Sequence, residues 1–204
     1  MVAIVDYGVG NLFSLKSSFS IIGENVFVTG DPDVIKSADR IILPGVGAFG
    51  DAAKKLNDSG LADVLKELAK EGKPIMGICL GMQLLFDKSY EYGEHEGLGL
   101  IKGNVRPIAD KVTSDYKIPH IGWNGLKFTD KKSPLFKYIK EGDCVYFVHS
   151  YYGADCEESL TATAEYGFDV TAAVENGNVY GTQFHPEKSG SVGLQILRNF
   201  AGLM

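Results

Sequence analysis

Cys79 stands between Gly77 and Gly81 in the stretch Lys73-Pro74-Ile75-Met76-Gly77-Ile78-Cys79-Leu80-Gly81-Met82-Gln83-Leu84-Leu85-Phe86. Pro74 to Ile78 reads as a short buried strand and Met82 to Phe86 as the start of a helix. A nucleophile on the sharp turn between them would be the thiol version of the G-x-S-x-G elbow. Such a turn brings neighbouring backbone too close for Cβ atoms, and glycine on both flanks removes the clash. The helix that follows points free N–H groups at the sulfur, a setting for a nucleophilic thiolate. A free cysteine is often only a small buried hydrophobe. The two glycines and the strand-turn-helix context favour the reactive reading, without naming a substrate.

Two further stretches complete the parts needed for acyl transfer. In Gly181-Thr182-Gln183-Phe184-His185-Pro186-Glu187-Lys188 a strand leads into His185, and Pro186 biases it towards extended backbone. Residues two apart in extended chain share a side, so Glu187 can orient one ring nitrogen of His185 while the other faces a thiolate. Alone, this pair would read as a loop histidine beside an acid. In Pro44-Gly45-Val46-Gly47 the glycines follow a strand, at the sheet edge where α/β proteins bind ligands. Their amides, with that of Leu80, could hold an oxyanion, although alone they make a plain tight turn. His95, His120 and His149 have no metal-site spacing, and no metal or cofactor is expected. His149 ends an apolar strand and reads as structural, and Trp123 reads equally well as core. The Gly8/Gly10 turn lacks the third glycine of a dinucleotide fingerprint.

The elements that must carry these residues alternate in the first half. Val2 to Asp6 is an apolar run suited to a strand buried on both faces. Leu12, Leu15, Phe19 and Ile22 recur at helical spacing, with Gly23 as the stop. Val26 to Val28 and Arg40 to Leu43 read as strands, and Leu61, Val64, Leu65 and Leu68 as a helix. This alternation predicts a parallel sheet covered by helices. After the elbow, Lys88 to Gly97 reads as a polar surface loop. Short strands are then expected around Val105 and over Leu126–Phe128, Cys144–Val148, Thr161–Tyr166, Val170–Val174 and Val179–Phe184. Asn176-Gly177-Asn178 marks a hairpin, and Ser189 to Leu203 a closing helix capped by Ser189. Without a repeat or linker, residues 1–204 read as one domain. The fold expected is α/β: a three-layer sandwich around a mostly parallel central sheet, with additional antiparallel strands in the C-terminal half.

Composition excludes several partners. The net charge is −6, and only Arg40, Arg106 and Arg198 are arginine among twenty basic residues. That balance argues against a nucleic-acid surface or a bidentate phosphate clamp. Three cysteines, Cys79, Cys144 and Cys156, make no disulfide framework. With no signal segment and no run able to span a bilayer, a cytoplasmic setting is expected and no membrane partner.

Together the motifs Gly77-Ile-Cys79-Leu-Gly81-Met-Gln83 and His185-Pro-Glu187 resemble those of the class I, triad-type glutamine amidotransferases. More narrowly, the chain resembles the glutaminase subunits of imidazole glycerol phosphate synthases. That likeness is carried by Asp6-Tyr-Gly-Val-Gly-Asn11-Leu, Pro44-Gly-Val-Gly-Ala-Phe-Gly-Asp51, Pro119-His-Ile-Gly-Trp123-Asn124 and Tyr146-Phe-Val-His149-Ser150-Tyr151-Tyr152, and covers nearly the whole chain. The resemblance implies a heterodimer with a (β/α)8-barrel cyclase subunit. Glutamine would be hydrolysed on this chain and ammonia passed into the barrel to make imidazole glycerol phosphate, a step of histidine biosynthesis. The scarcity of arginine fits, since the partner would hold the phosphorylated substrate. By the same resemblance Cys79 is the nucleophile, His185 the acid and base, and Glu187 the group that fixes its tautomer. Val46 or Gly47, with Leu80, would supply the oxyanion amides, and the glycine-loop peptide would reorient on activation. Gly45, Gln83 and the His149-Ser150-Tyr151 backbone would hold glutamine, and Asn11, Trp123, Asn124 and Lys188 would face the cyclase. The alternatives are a glutaminase serving another synthase, such as the anthranilate, guanylate or pyridoxal phosphate systems, and a non-catalytic glutamine-binding regulatory module.

Overall fold

The computed structural model describes residues 1–131 and 133–203. In chain order the first half contains β1 (Val2–Val5), α1 (Leu12–Ile21), β2 (Val26–Thr29), α2 (Pro32–Ser37), β3 (Arg40–Leu43), α3 (Phe49–Asp58), α4 (Leu61–Lys70), β4 (Ile75–Ile78) and α5 (Leu80–Leu84). The second half contains β5 (Phe86–Ser89), β6 (His95–Glu96), β7 (Ile101–Pro107), β8 (His120–Phe128), β9 (Cys144–His149), β10 (Tyr151–Ala154), β11 (Leu160–Glu165), β12 (Asp169–Asn176), β13 (Val179–Thr182) and α6 (Gly190–Ala201).

One nine-stranded sheet, in the order β2-β1-β3-β4-β13-β12-β11-β8-β9, runs through the molecule. From β2 to β13 every pairing is parallel, and from β13 to β9 every pairing is antiparallel. Alternation along the parallel strands fills two separate cores. Ile4, Ile42 and Met76 join Leu15, Phe19, Ile196 and Phe200 of α1 and α6 on one side. Val5, Ile41, Leu43 and Ile75 join Ile35, Phe49, Leu56 and Leu65 of α2, α3 and α4 on the other. Each fully buried Leu, Ile or Phe in these layers contributes about 1.5–3 kcal/mol of hydrophobic stabilisation. The expected three-layer α/β architecture is therefore present, with the antiparallel extension where the sequence places it. The Asn176–Val179 pairing closes the β12–β13 hairpin, with Gly177 at φ +60°.

Several local expectations need correction. The elbow helix is only five residues long, and Phe86 belongs to β5. Lys88 to Gly97 is not wholly loop: Lys88 pairs with Glu96 and Ser89 with His95 across β5 and β6. These strands join β7 and β10 in a second sheet, ordered β10-β7-β5-β6. Their polar pattern hid them, since Lys88 uses its charge on Glu94 and Glu96 at 2.6 and 3.6 Å. Two helices, α2 and α3, lay outside the sequence reading. Ser189 occupies the cap position of α6 but makes no capping bond. Its hydroxyl donates to the His185 carbonyl at 2.6 Å and accepts from the Tyr146 N–H at 3.0 Å.

Candidate active site

The central strands β4 and β13 pair in parallel and deliver both halves of the site at their carboxyl ends. Cys79 leaves β4 at φ +55°, ψ −113°, a strained conformation for a residue with a Cβ. Contacts around it explain the glycines. A Cβ on Gly77 would lie 2.5 Å from the Gly81 carbonyl oxygen, and one on Gly81 would lie 1.9 Å from that of Leu43. Gly45 is held just as tightly: a Cβ there would meet the Gly81 nitrogen at 2.6 Å. The Pro44–Gly47 loop is thus pressed onto the elbow peptide, and the buried Tyr7 hydroxyl fixes it by donating to the Pro44 carbonyl at 2.8 Å. Burial, helped by the nearby Cys79, pushes the Tyr7 phenol well above its ordinary value and keeps it a donor.

His185 leaves β13 and is held by its backbone N–H on the Tyr146 carbonyl at 2.9 Å. Its Nδ1 lies 2.7 Å from Glu187 Oε1, with both side chains almost fully buried. Burial pulls the His185 imidazole down. The hydrogen bonds with the facing Cys79 sulfur and with Glu187, and their charges, outweigh it and push the value up to about 9. The ring is therefore an imidazolium at neutral pH, clamped between sulfur and carboxylate. The expected trio is brought together, with the two-residue spacing of His185 and Glu187 acting as read.

These groups open on a cavity of about 390 Å³. Val46, Gly47, Cys79, Leu80, Gln83, His149, Ser150, Tyr151, His185 and Lys188 all line it, so most candidate residues converge there. Gly45 does not, because it lies beneath the loop against Leu80 and Gly81. Among the residues expected at a partner surface, Trp123 is 55% exposed and meets Tyr146 edge-on at 5.9 Å. Lys188 Nζ lies 5.9 Å from the centroid of that same Tyr146 ring. Asn11 caps α1, accepting from the Ser14 N–H at 3.3 Å, and α1 packs on the turn carrying Lys188. Asn124 is half-buried and turned to His120 at 2.8 Å.

Three side chains at the site escaped the sequence reading. Glu91 lines the cavity and accepts from the Phe49 N–H at the start of α3 at 2.6 Å. Nothing local marks it. Gln183 is fully buried, with Nε2 3.9 Å from the Cys79 sulfur and Oε1 accepting from Gln83 Nε2 at 3.0 Å. Its place two residues before His185, on the same side of an extended chain, was an available signal. The His149 ring is the third. The residue lines the cavity, and its Nδ1 donates to the Tyr151 carbonyl at 2.8 Å while Nε2 meets His120 Nδ1 at 3.0 Å. Burial drives this ring down to about 3. Among the described residues, no helix is long and apolar enough to cross a membrane.

A family model described as "Glutamine amidotransferase class-I" matches residues 3–203. The chain is 50% identical over 202 residues to "Imidazole glycerol phosphate synthase subunit HisH" of Sulfurimonas denitrificans, covering 98% of this chain and 97% of that protein. It is 52% identical over 203 residues to the protein of the same name from Bacillus licheniformis, covering 98% and 95%. Among solved structures, "Structure of PurLQS from Thermotoga maritima" shares the fold, with a TM-score of 0.74, 22% identity and coverage of 98% and 96%.

Proposed function

This chain belongs to the class I glutamine amidotransferases, and on that premise we propose that it is the glutaminase subunit of an imidazole glycerol phosphate synthase. It releases ammonia from glutamine for a cyclase partner with a (β/α)8-barrel. Residues 1–204 act in this proposal as one amidotransferase domain, in keeping with a single sheet that spans both halves. The observation that carries the reading is the buried Cys79–His185–Glu187 cluster opening on one cavity.

The Cys79 thiolate attacks the carboxamide carbon of glutamine, and the carbonyl electrons move onto oxygen. The Leu80 amide and an amide of the Val46–Gly47 loop face that oxyanion. The His185 imidazolium donates its proton to the leaving nitrogen as the C–N bond breaks, which frees ammonia and leaves a glutamyl thioester. Neutral His185 then takes a proton from water. The hydroxide adds to the thioester carbon, and collapse expels the thiolate with glutamate. Glu187 holds the proton on Nδ1 throughout, so Nε2 does the transfer. Glu91, the carboxylate of the cavity wall, suits the ammonium of the substrate, while Gln83 and the His149-Ser150-Tyr151 backbone bind its amino acid portion. Trp123 and Lys188, joined through Tyr146 at the rim, form part of the cyclase-facing surface with Asn11 and Asn124.

Glutamate release tests the proposal, measured with this chain alone, with the cyclase subunit, and with the cyclase and its nucleotide ligand. A sharp rise only in the full mixture is expected. Equal rates alone and in the mixture would remove the partner from the reading, and no hydrolysis in any mixture by the folded chain would remove the chemistry.

A further inference from the structure

Gln183 follows β13 directly and is fully buried beneath the elbow. Its N–H donates to the Ala172 carbonyl at 2.8 Å, and the Cys79 N–H donates to the carbonyl of the preceding Thr182 at 2.7 Å. The backbones of the two residues are therefore tied to one another. The Gln183 amide spans two polar neighbours. Its Nε2 lies 3.9 Å from the Cys79 sulfur, and its Oε1 lies 3.0 Å from Gln83 Nε2.

Which end of this amide faces the sulfur follows from a group that has no choice. The Tyr151 carbonyl can only accept. It receives Gln83 Nε2 at 3.0 Å and His149 Nδ1 at 2.8 Å. Gln83 must therefore turn its NH2, and not its oxygen, towards Tyr151. The same nitrogen also reaches Gln183, which must answer with its oxygen. That leaves the NH2 of Gln183 towards the sulfur. Backbone thus sets both amides in turn, and Cys79 meets a donor.

The Val148 carbonyl lies 4.0 Å from the same sulfur. A thiol can donate to it, whereas a thiolate meets only its lone pairs. Gln183 has the opposite preference, because its N–H bond strengthens when the sulfur is ionised. We propose that Gln183 is a further catalytic residue of the glutaminase. Its amide donates to the Cys79 thiolate and stabilises it twice, as the attacking group and as the group expelled from the thioester. This deepens the function proposed above and rests on it. His185 supplies charge to the sulfur but gives its proton away during the reaction. Gln183 supplies a neutral donor that keeps its hydrogen throughout. Since Gln83 is held by the same bonds, the residue expected to hold glutamine and the donor to the nucleophile form one hydrogen-bonded unit.

The test starts from alkylation of Cys79 by iodoacetamide in the full chain, a reaction that uses neither glutamine nor the cyclase. It is read at Cys79 by mass spectrometry, because Cys144 is exposed as well. Gln183→Met keeps the length of the side chain and removes the donor. Near pH 7 it should alkylate about 3–10-fold more slowly. A hydrogen bond to a charged group is worth about tenfold, offset in part because a less stabilised thiolate is the better nucleophile. The deficit should close as pH rises, where the thiol ionises without the amide. His185 faces the sulfur, Tyr7 lies near it, and Glu91, His149 and Lys188 line the same cavity; the substitution changes none of them. Equal rates near pH 7, or a deficit that persists unchanged at high pH, overturns the proposal. Glutamate release in the complex with the cyclase should fall by a similar factor, and an unchanged rate removes the catalytic role. A second measurement needs no Gln183 variant to fold. The ¹⁵N–¹H resonances of the Gln183 side-chain amide should move on Cys79→Ala, and resonances that stay in place overturn the contact. If Cys79 alkylates as expected but the wild-type chain releases no glutamate in any mixture, the function falls and takes the catalytic role with it, while the bond to the sulfur remains.

Discussion

The His185–Glu187 turn and the His149–His120 pair lie against the same cavity and are buried to a similar degree, yet one ring is charged and the other pair is neutral. His185 has a carboxylate on one nitrogen and a sulfur facing the other, and is pushed up to about 9. His149 has a carbonyl on one nitrogen and a second imidazole on the other, and is driven down to about 3. Burial acts in the same direction on both rings, so it cannot choose the charge state. The choice belongs to the formal charges within hydrogen-bond reach. One region is thus built to hold and move a proton, and the other to hold backbone in place with neutral donors.

The most severe way to break this comparison is to remove the sulfur. Cys79→Ala should reduce glutamate release in the complex to background, and it should also lower the His185 value in an NMR titration of the ring. A His185 that still titrates near 9 would show that the sulfur contributes nothing to its charge. His185→Ala should reduce turnover by about 10²–10⁴-fold, the scale of general acid–base catalysis. Glu187→Gln comes next. The amide keeps the shape but removes the charge, so the His185 value should fall and kcat should fall by about 10²-fold, while KM for glutamine changes little. If kcat survives with the value lowered, the proton on His185 is not the one delivered to the leaving nitrogen.

The two regions also differ in how far the sequence reveals them. Cys79 with its flanking glycines, and His185 with Glu187, are local patterns whose geometry follows from an elbow and an extended turn. The parallel strands that carry them are short apolar runs buried on both faces, and they were equally legible. The His120–His149 contact depends on the register between β8 and β9, and the Tyr7–Pro44 bond on the packing of β1 against β3. Neither leaves a mark within a short window. Glu91 was hidden for the same reason, and β5 and β6 because their polar residues pair with one another at the surface. Local chemistry could be read in advance, whereas chemistry made by register could not.

Opposite shifts of the two rings predict opposite limbs of a stability profile. The native chain holds the His185 proton more tightly than the unfolded chain, whose histidine titrates near 6.5. This contribution is complete below about pH 6.5 and is lost as pH rises through about 9. For His149 the unfolded chain binds the proton first, so stability is lost as pH falls from about 6.5 towards 3. Denaturant midpoints measured from pH 4 to 10 should fall on both sides of neutrality. Glu187→Gln should flatten the alkaline limb and leave the acid limb unchanged. A change in the acid limb instead would mean that the two regions titrate as one.

The smallest effect is expected where position can be disturbed without touching charge. The Ser189 hydroxyl bridges the Tyr146 N–H and the His185 carbonyl and contacts neither the sulfur nor Glu187 Oε1. Ser189→Ala leaves both backbone groups without this partner, at a cost of about 1–3 kcal/mol in the denaturant midpoint. The carboxylate and the sulfur remain, so His185 should still titrate near 9, with kcat reduced by less than in Glu187→Gln. A value that drops towards 6.5 in Ser189→Ala would show that the charge of this ring depends on how tightly its turn is tied to β9, and not only on which groups stand beside it.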